Sequence, residues 1–342
     1  MRSRAEIARP FSLEVTRIER LVVCDIADDP RYTALEVQVF DDEEHGRGVA
    51  VLLGRKDGLV DVYRQPGLRL DRDGYRIGAG LGEWTEAEID PARLEIAPDG
   101  AVIDVALTDT AGRRIMLAMD DRDGRPRRRG DLLAPMGASI EAPVSLMLVY
   151  MRGFDFMRTS GRTPRLSIDG HPRKVASFPG PQALHRRHFV RYAESPLVVT
   201  LNREHDGPME CTTLLESPTV VRAGAGTHTA ALTVHPSCPD VMGLAPGDRC
   251  GGSWELEVGG VARLVAGTWT ARGTRGGAEL SLVVTKGWQP RGLPPLYRFV
   301  TSVAKVFRSW PTTYRWSATV THTAAVPILR SRWERTGGVR RR

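Results

Sequence analysis

The sequence contains no uncharged apolar run long enough to cross a bilayer as a helix. Such a helix needs roughly 18 or more consecutive apolar residues. The most apolar stretch, EAPVSLMLVYMRGFDFM at 141–157, is interrupted by Arg152. The N-terminal residues MRSRAEIARPFSLEV carry positive charge but no apolar core of signal-peptide length. We therefore expect a cytoplasmic protein that does not insert stably into membranes.

Cysteine is scarce, with four residues in a chain of 342, and no two of them form a CxxC pair. Zinc sites and disulfide-rich domains need closely spaced cysteines, so we predict no metal centre and no dense disulfide framework. Cys238 and Cys250 could bridge a loop, but reduced thiols are typical of a cytoplasmic protein. The segment GAGLG at 78–82 lacks the lysine and the strand-to-helix context of a nucleotide-binding loop, and we predict no cofactor.

Positive charge is concentrated in two arginine clusters. The net charge is +7, yet removal of their ten arginines would leave −3. Nucleic-acid binding usually needs a broad basic surface with stacking aromatic residues, and only Trp333 lies within these clusters. We predict a solvated loop, a basic tail at 336–342 and no nucleic-acid partner; a nucleic-acid or acidic-membrane patch is the alternative. The ten residues are Arg125, Arg127, Arg128, Arg129, Arg330, Arg332, Arg335, Arg340, Arg341 and Arg342.

Asp-Gly pairs divide the chain into short β segments, because Asp-Gly tolerates the positive backbone angles of tight hairpin turns. In GVAVLLGRKDGLVDVYRQ, a turn at 56–58 separates strands at 48–54 and 59–65. Residues 92–120 indicate three strands and two turns, and five further strands follow residue 195. With few helical patterns and no alternation of strand and helix, the sequence predicts a mainly β protein of antiparallel barrels or sandwiches.

Two segments favour helix. The first, PPLYRFVTSVAKVFRSW at 294–310, has apolar residues at three- and four-residue spacing. The second, at about 143–152, begins at a proline and could end at Gly153 in a left-handed conformation. Both are strongly apolar and lead into a β segment, which indicates a duplicated unit. We predict an N-terminal β unit at 1–185 and a C-terminal β unit at 186–335; one continuous β-sandwich is the alternative.

Polar side chains alternate with apolar ones in two early strands. In TALEVQVF, Glu36 and Gln38 point away from the apolar residues, and in LVDVYRQ, Asp61 and Tyr63 do the same. If these strands are neighbours, the side chains form one polar patch, which is either the solvent face of a sheet or the polar end of a cavity. In a cavity, Glu36, Asp61 and Tyr63 are candidate catalytic residues, because partial burial raises carboxylate pKa values toward neutrality. We expect Glu36→Gln and Asp61→Asn to leave folding intact.

Aromatic and methionine side chains supply a candidate lining for a ligand cavity. Six of the seven tryptophans follow residue 250, and residues 147–157 are rich in methionine and aromatic rings. These side chains either fill the core or line a pocket, since ligand pockets are mostly apolar with a few polar groups. Asp155 is expected to face outward on a regular strand; a backbone bulge would make it a buried acid. The candidate ligand-binding residues are Gln38, Trp84, Tyr150, Phe154, Asp155, Trp269 and Trp316.

The layout of the chain resembles that of the two-domain lipocalin-like proteins, a group that includes carotenoid 1,2-hydratases and lipocalin-like natural-product cyclases. The resemblance rests on 342 residues of mainly β pattern, an apparent twofold division, and a late helix followed by strands. The segments DVYRQPG, LAPMGASIEAP and MLVYMRGFDFM look like blocks of such a family, although no catalytic residue is carried over from it. The resemblance implies a hydrophobic small molecule inside a β-barrel, with cofactor-free acid–base or conformational catalysis.

Two functions of different classes follow. The first is a cofactor-independent hydratase, isomerase or cyclase that acts on a terpenoid- or polyketide-like molecule. The alternative is a non-catalytic carrier of a similar hydrophobic ligand. A buried carboxylate in the cavity would favour the enzyme, and an entirely apolar cavity would favour the carrier. A carbohydrate-active β-sandwich is a third interpretation, which requires an open groove with tryptophan platforms and paired acids. The sequence leaves the oligomeric state open.

Overall fold

The chain folds into a mainly β structure, as its turn pattern predicts. Within the described ranges there are 24 strands and a single α-helix, and one of the sheets is a half-barrel. No helix in these ranges is long and apolar enough to cross a membrane. A computed structural model describes residues 6–8, 11–134, 142–159, 164–176, 178, 187–209, 211–213, 219–226, 228–259, 261–288, 293–303, 307, 310–321 and 326–336.

Most strands of the first half are short and follow one another closely. They are β1 (Glu6–Ala8), β2 (Leu13–Arg17), β3 (Arg20–Asp25), β4 (Tyr32–Asp42), β5 (Gly46–Arg55), β6 (Val60–Arg64), β7 (Leu81–Glu86), β8 (Ile89–Ala97), β9 (Gly100–Thr108), β10 (Arg114–Asp120), β11 (Gly130–Ala134), β12 (Leu146–Arg158), β13 (Arg165–Ile168) and β14 (His171–Arg173).

The second half adds ten strands and the helix. They are β15 (Arg187–Leu201), β16 (His205–Pro208), β17 (Cys211–Thr213), β18 (Val220–Ala225), β19 (His228–His235), β20 (Arg249–Val258), β21 (Val261–Thr274), β22 (Gly277–Lys286), α1 (Pro295–Val303), β23 (Tyr314–Thr321) and β24 (Ile328–Arg335).

Three large sheets carry the fold. A nine-stranded sheet has the order β11-β12-β15-β3-β4-β5-β6-β7, with β2 also paired to β15. A five-stranded sheet has the order β14-β13-β10-β9-β8, and an eight-stranded sheet has the order β16-β24-β23-β22-β21-β20-β19-β18. β1 pairs with β17. Among the described strands, the pairing of β6 with β7 is parallel and the other pairings are antiparallel, as predicted.

The predicted hairpins are confirmed. β5 and β6 flank the turn at 56–58, where Gly58 has a φ of +85°. The three strands predicted at 92–120 are β8, β9 and β10, which pair consecutively in an antiparallel meander. Local turn chemistry therefore accounts for these elements.

Both faces of the nine-stranded sheet are covered. On one face, Val37 and Leu53 lie in one core cluster with Ile103 and Leu117 of the five-stranded sheet. The opposite face belongs to a second cluster that includes Leu68 and buried residues of α1. The end of the sheet formed by β2, β12 and β15 packs against the eight-stranded sheet in a third cluster. The nine-stranded sheet is therefore the layer that all three cores share.

The helix predicted at 143–152 is wrong. Residues from Leu146 onward form β12, which pairs with β11 on one side and with β15 on the other. All six residues from Leu146 to Met151 are buried. A strand covered on both faces shows an unbroken apolar run instead of alternation, and periodicity alone does not separate such a run from a buried helix.

A bulge at Gly153 turns Asp155 into a buried residue. Gly153 has a φ of +57°, and the register of β12 against β15 shifts between Arg152 and Asp155. A Cβ atom at position 153 would lie 2.9 Å from Glu194 Oε2, so both conformation and space favour glycine. Asp155 is 1% exposed. The expected outward orientation is wrong, and the alternative of a bulge with a buried acid is correct.

The helix predicted at 294–310 is confirmed over its first part as α1. Proline suits this start because the first helical N–H groups have no intrahelical partner. Tyr297 and Val300 are buried against the nine-stranded sheet. Residues 304–306 and 308–309 of the predicted helix lie outside the described ranges.

The predicted boundary at 185/186 is followed immediately by β15. This strand pairs with β2, β3 and β12, all of which precede the boundary. Its residues also enter the core cluster of the eight-stranded sheet. The division into units at 1–185 and 186–335 therefore stays a prediction.

The first arginine cluster is a solvated loop only in part: Arg125 and Arg128 are exposed as predicted, whereas Arg127 and Arg129 are paired with carboxylates. The Arg127 side chain has no exposed surface, and its Nη1 lies 2.5 Å from Asp121 Oδ2. The other terminal nitrogen donates to the Asp121 carbonyl oxygen. Arg129 Nη1 lies 2.5 Å from Glu194 Oε1. Charge composition misleads for Arg127 and Arg129 because their guanidinium groups fold back onto carboxylates.

The second arginine cluster is likewise part of the fold where it is described. Arg330, Arg332 and Arg335 belong to β24, an inner strand of the eight-stranded sheet. The predicted tail lies outside the described ranges from residue 337 onward.

Replacing Arg127 by glutamine tests the buried ion pair. We expect the free energy of unfolding to fall by about 3 kcal/mol, because the buried Asp121 carboxylate loses its charged partner. Urea denaturation followed by tryptophan fluorescence measures this change. Arg125→Gln is the matched control, since Arg125 is exposed and, among the described residues, only its backbone N–H is hydrogen-bonded, to Asp123. Equal stability of the two variants would contradict the buried pair.

Candidate functional site

The residues predicted as one polar patch lie on opposite faces of the nine-stranded sheet. Glu36 shares a cross-strand row with Leu52 and Val62. Asp61 and Tyr63 flank Val62 along β6, and successive side chains of a strand point to opposite faces. Glu36 and Gln38 therefore share one face, and Asp61 and Tyr63 share the other. The alternation within each strand was predicted correctly, but their polar sides do not meet.

Asp61 is a fully enclosed carboxylate with a complete set of donors. It is 0% exposed. Its Oδ2 accepts from Arg31 Nη2 at 3.0 Å and lies 3.3 Å from the Tyr32 hydroxyl. Its Oδ1 accepts from Arg55 Nη1 at 3.3 Å and from the Glu83 backbone N–H at 3.1 Å. Four donors use the acceptor capacity of the group, so this geometry indicates a structural role and reverses the expectation that Asp61→Asn leaves folding intact.

A second carboxylate, Asp109, joins this cluster from the turn between β9 and β10 of the five-stranded sheet. Its Oδ2 accepts from Arg113 Nε at 2.9 Å and Nη2 at 2.7 Å, and it lies 3.2 Å from the Tyr32 hydroxyl. Burial alone would raise the pKa of Asp109, but hydrogen bonds from the backbone and side chain of Arg113 hold that pKa below its usual range. The cluster therefore fastens the two sheets together.

Tyr63 lies beside an open polar pocket of about 440 Å³ between the two sheets. Its hydroxyl accepts from the Thr110 backbone N–H at 3.2 Å and lies 3.4 Å from Thr110 Oγ1. Both contacts cross from β6 to the turn between β9 and β10. Of the three predicted catalytic residues, only Tyr63 lines this pocket.

On the opposite face, Glu36 begins a chain of hydrogen bonds. Glu36 Oε1 accepts from Gln38 Nε2 at 2.6 Å. Gln38 Oε1 accepts from the Tyr75 hydroxyl at 2.8 Å. The ring of Tyr75 lies 5.5 Å from that of Trp84, measured between centroids. The structure therefore brings together the predicted residues Glu36, Gln38 and Trp84, and it adds Tyr75.

Tyr75 was missed because its position depends on a turn with no marked pattern. It ends a 3₁₀ turn, Arg72–Tyr75, and the side chain of the preceding cap residue, Asp71, accepts from the backbone N–H groups of Asp73 and Gly74. The Asp-Gly pair at 73–74 indicates a turn. Nothing in the sequence indicates that this turn returns over β4.

Electrostatics make Glu36 different from the other carboxylates. Desolvation by burial raises its pKa, while the hydrogen bond from Gln38 and the charge of Arg191 lower it by less. Arg191 forms an ion pair with Asp25, with 2.6 Å between Arg191 Nη2 and Asp25 Oδ1. Burial likewise raises the pKa of Tyr75, and the Glu36 charge adds to that increase. Glu36 has no ion pair with any described residue, and only Gln38 among them donates to it.

Partly exposed apolar side chains surround this face. Val23 is the direct neighbour of Glu36 on β3. Val23, Leu81, Trp84 and Phe189 are only partly buried and pack against the cluster that covers this face. Glu36 itself is partly exposed as a residue, while its carboxyl group is desolvated. We call Glu36, Gln38, Tyr75 and Trp84 the Glu36 site.

The other predicted ligand-binding residues lie elsewhere. Trp269 and Trp316 are each 1% exposed in the core of the eight-stranded sheet. Tyr150 belongs to the same core, and its hydroxyl donates to Asp131 Oδ2 at 3.0 Å. Burial and the neighbouring Asp131 raise the pKa of Tyr150 to about 12. These three side chains fill a core and do not join the Glu36 site.

Phe154 and Asp155 form a separate contact with the helix. Asp155 Oδ1 accepts from the Tyr297 hydroxyl at 2.6 Å, from Arg187 Nη1 at 2.7 Å and from the Phe156 backbone N–H at 2.8 Å. The rings of Phe154 and Tyr297 lie 5.4 Å apart edge to face. The buried acid thus holds α1 against β12.

The described residues contain no group of three or more histidine, cysteine or acidic side chains that could hold a metal ion. Cys24, Cys238 and Cys250 are free thiols. No family model matches the chain, and searches of curated proteins and of solved structures find no match.

Replacing Asp61 by asparagine distinguishes a structural carboxylate from a catalytic one. We expect the free energy of unfolding to fall by about 2 to 3 kcal/mol, because two arginines lose a buried partner. Denaturant unfolding measures the change. Asp57→Asn is the matched control: Asp57 also pairs with Arg55 but is exposed, so its loss should leave stability unchanged within error. An unchanged stability in both variants would leave Asp61 without a structural role.

Proposed function

We propose that the protein is a cofactor-independent enzyme that transfers protons to and from a hydrophobic small molecule bound at the Glu36 site. The observation that carries this proposal is the state of Glu36: a desolvated carboxyl with raised pKa, one oxygen held by Gln38 and no salt bridge to a described residue. A general acid or base works best when its pKa lies near the working pH. Asp61, by contrast, already interacts with four hydrogen-bond donors.

The arrangement suits hydration, isomerisation or cyclisation of an alkene-containing substrate such as a terpenoid or polyketide. Protonated Glu36 gives its proton to one alkene carbon, and the other carbon becomes electron-deficient. Water or an internal nucleophile then forms a bond to that carbon and returns a proton to the Glu36 carboxylate. Gln38 and Tyr75 orient the carboxyl throughout, and the partly exposed Val23, Leu81 and Trp84 contact the substrate's apolar body.

The wider architecture is proposed from the resemblance of the sequence to two-domain lipocalin-like proteins. A lipocalin-like arrangement of two β units, divided near residue 185, would place the Glu36 site in the N-terminal unit. We also propose that the protein is cytoplasmic. A carrier of hydrophobic ligands is the second candidate, favoured by the partly exposed apolar side chains beside Glu36.

Ligand screening and turnover separate the enzyme from the carrier. A library of terpenoids and polyketide-like alkenes is tested by thermal shift, and each binder is then incubated with protein and analysed by mass spectrometry. We expect Glu36→Gln to bind the same compounds while turnover falls at least about 100-fold. Asp41→Asn, an exposed substitution on the same strand, is the control and should keep full turnover. Binding without turnover by the wild type supports the carrier, and full turnover by Glu36→Gln refutes the assignment of Glu36.

The raised pKa of Glu36 also gives a stability test that needs no substrate. Between the ordinary glutamate pKa and the raised one, the native state binds more protons than the unfolded chain, so stability falls as pH rises through this window. Glu36→Gln removes this contribution. We therefore expect the stability of Glu36→Gln relative to wild type to increase with pH across the window and then level off. Denaturant unfolding at several pH values measures it, and a flat difference would show that the carboxyl is not desolvated.

A further inference from the structure

An open groove of about 760 Å³ crosses the eight-stranded sheet, away from the Glu36 site. It runs over five neighbouring strands, β20 to β24. Alternate residues of these strands, such as Ala271, Leu280 and Ala318, point into the core. Their neighbours point outward and line the groove, so the groove lies on the outward face of the sheet.

Cross-strand register places arginines at both sides of the groove. One row runs from Arg249 on β20 through Arg272, Glu279 and Thr319 to Arg330 on β24. With about 4.8 Å between neighbouring strands, the Cα atoms of Arg272 and Arg330 lie about 14 Å apart. The groove therefore has a first arginine pair on β20 and β21, and a second arginine on β24.

The next outward row supplies the floor. It runs through Thr270, Ser281 and Ser317 to Arg332, which joins Arg330 as a second arginine pair on β24. Short hydroxyl side chains in the middle and long guanidinium side chains at the two sides give the groove its depth. Hydroxyl groups both donate and accept hydrogen bonds.

Three of the four arginines are available to bind a ligand. Arg249, Arg272 and Arg332 form no ion pair with any described residue and are exposed. Arg330 pairs with Asp206 at 2.9 Å, but both side chains are largely exposed, so this pair is weak in water. A guanidinium presents a planar fork of donors that matches carboxylate, sulfate or phosphate oxygens.

The middle of the groove disfavours binding of a continuous polyanion. Glu279 stands in the first row between Arg272 and Thr319, and its carboxylate would repel a negative charge above it. The side chains facing outward in the two rows are arginine, glutamate, serine and threonine, and they offer no aromatic ring on which a nucleic-acid base could stack. Glu279 and the hydroxyls can instead bond the hydroxyl groups of a ligand.

We infer that this groove binds a short acidic oligosaccharide. Its anionic groups lie against the two arginine pairs, and its neutral, hydroxylated middle lies over Glu279 and the serine and threonine side chains. The inference is independent of the Glu36 site, because the two sites lie on different sheets. The tryptophans nearest in sequence, Trp269 and Trp316, are buried on the opposite side, so the groove is a binding site without the stacking platforms of a neutral-sugar site.

Binding is measured by isothermal titration calorimetry with four probes: a sulfated tetrasaccharide, tetragalacturonate, neutral cellotetraose and a short inorganic polyphosphate. We expect one or both acidic tetrasaccharides to bind, and the neutral one not to bind. The double variant Arg272→Gln/Arg332→Gln should weaken that binding at least tenfold. Arg315→Gln is the matched control, because Arg315 is exposed on the same face of β23 but outside the groove lining, and it should change affinity less than twofold.

Thr319→Val tests the hydroxyl side chains in the middle of the groove. It should weaken acidic tetrasaccharide binding several-fold and leave any binding of polyphosphate unchanged. Circular dichroism and thermal unfolding of each variant confirm that the sheet is intact. Preference for sulfate or for carboxylate identifies the anionic group and supports the inference either way. Three results would overturn it: no binding of either acidic tetrasaccharide, equal loss in Arg315→Gln and the double variant, or polyphosphate binding as tight as that of the tetrasaccharides.

Discussion

The pairing of β12 with β15 is the contact on which the rest of the fold depends. These strands have 13 and 15 residues, longer than a typical strand. At one end, Leu148 and Val199 pack against the eight-stranded sheet. At the other, Phe156 and Tyr192 enter the cores on the two faces of the nine-stranded sheet. One ladder of backbone hydrogen bonds thus joins all three cores, and neither part of the molecule is complete without it.

The same sheet keeps two kinds of carboxylate apart. On one face, Asp61 and Asp109 are surrounded by arginine and tyrosine donors and join two sheets. On the other, Glu36 has one side-chain amide donor and an apolar neighbourhood. Burial is common to both faces, so burial alone does not mark a reactive acid. The number of donors distinguishes them, because donors stabilise the charged form that desolvation destabilises.

Elements specified by neighbouring residues were predictable from the sequence. The hairpin around Gly58 and the meander of β8 to β10 follow from turn residues and strand patterns. The first part of α1 follows from its apolar spacing. β12 was not predictable as a strand, because the sheets that cover both of its faces are distant in sequence and erase the alternation.

Side-chain partners were the least predictable level. Glu36 and Gln38 were selected from strand patterns and Trp84 as a candidate ligand-binding residue. Tyr75 reaches Gln38 through a fold-back that no local signal indicates. Arg127 belongs to a run of like charges that reads as solvated, and only the tertiary position of Asp121 makes it internal. Asp155 depended on whether the backbone bulged at Gly153, a choice that the sequence leaves open.

The position of β15 between β12 and β3 has a consequence for biosynthesis. β3 pairs with β4 soon after both are made, but its other edge waits for β15, which begins at residue 187. At about 5 to 20 residues per second, a ribosome needs roughly 10 to 30 seconds to make the intervening segment. Throughout that interval the backbone N–H and C=O groups on this edge of β3 are unpaired and can pair with other nascent chains. The nascent polypeptide is therefore vulnerable to intermolecular strand pairing until β15 has been translated, and a chaperone that shields this edge would act before that point.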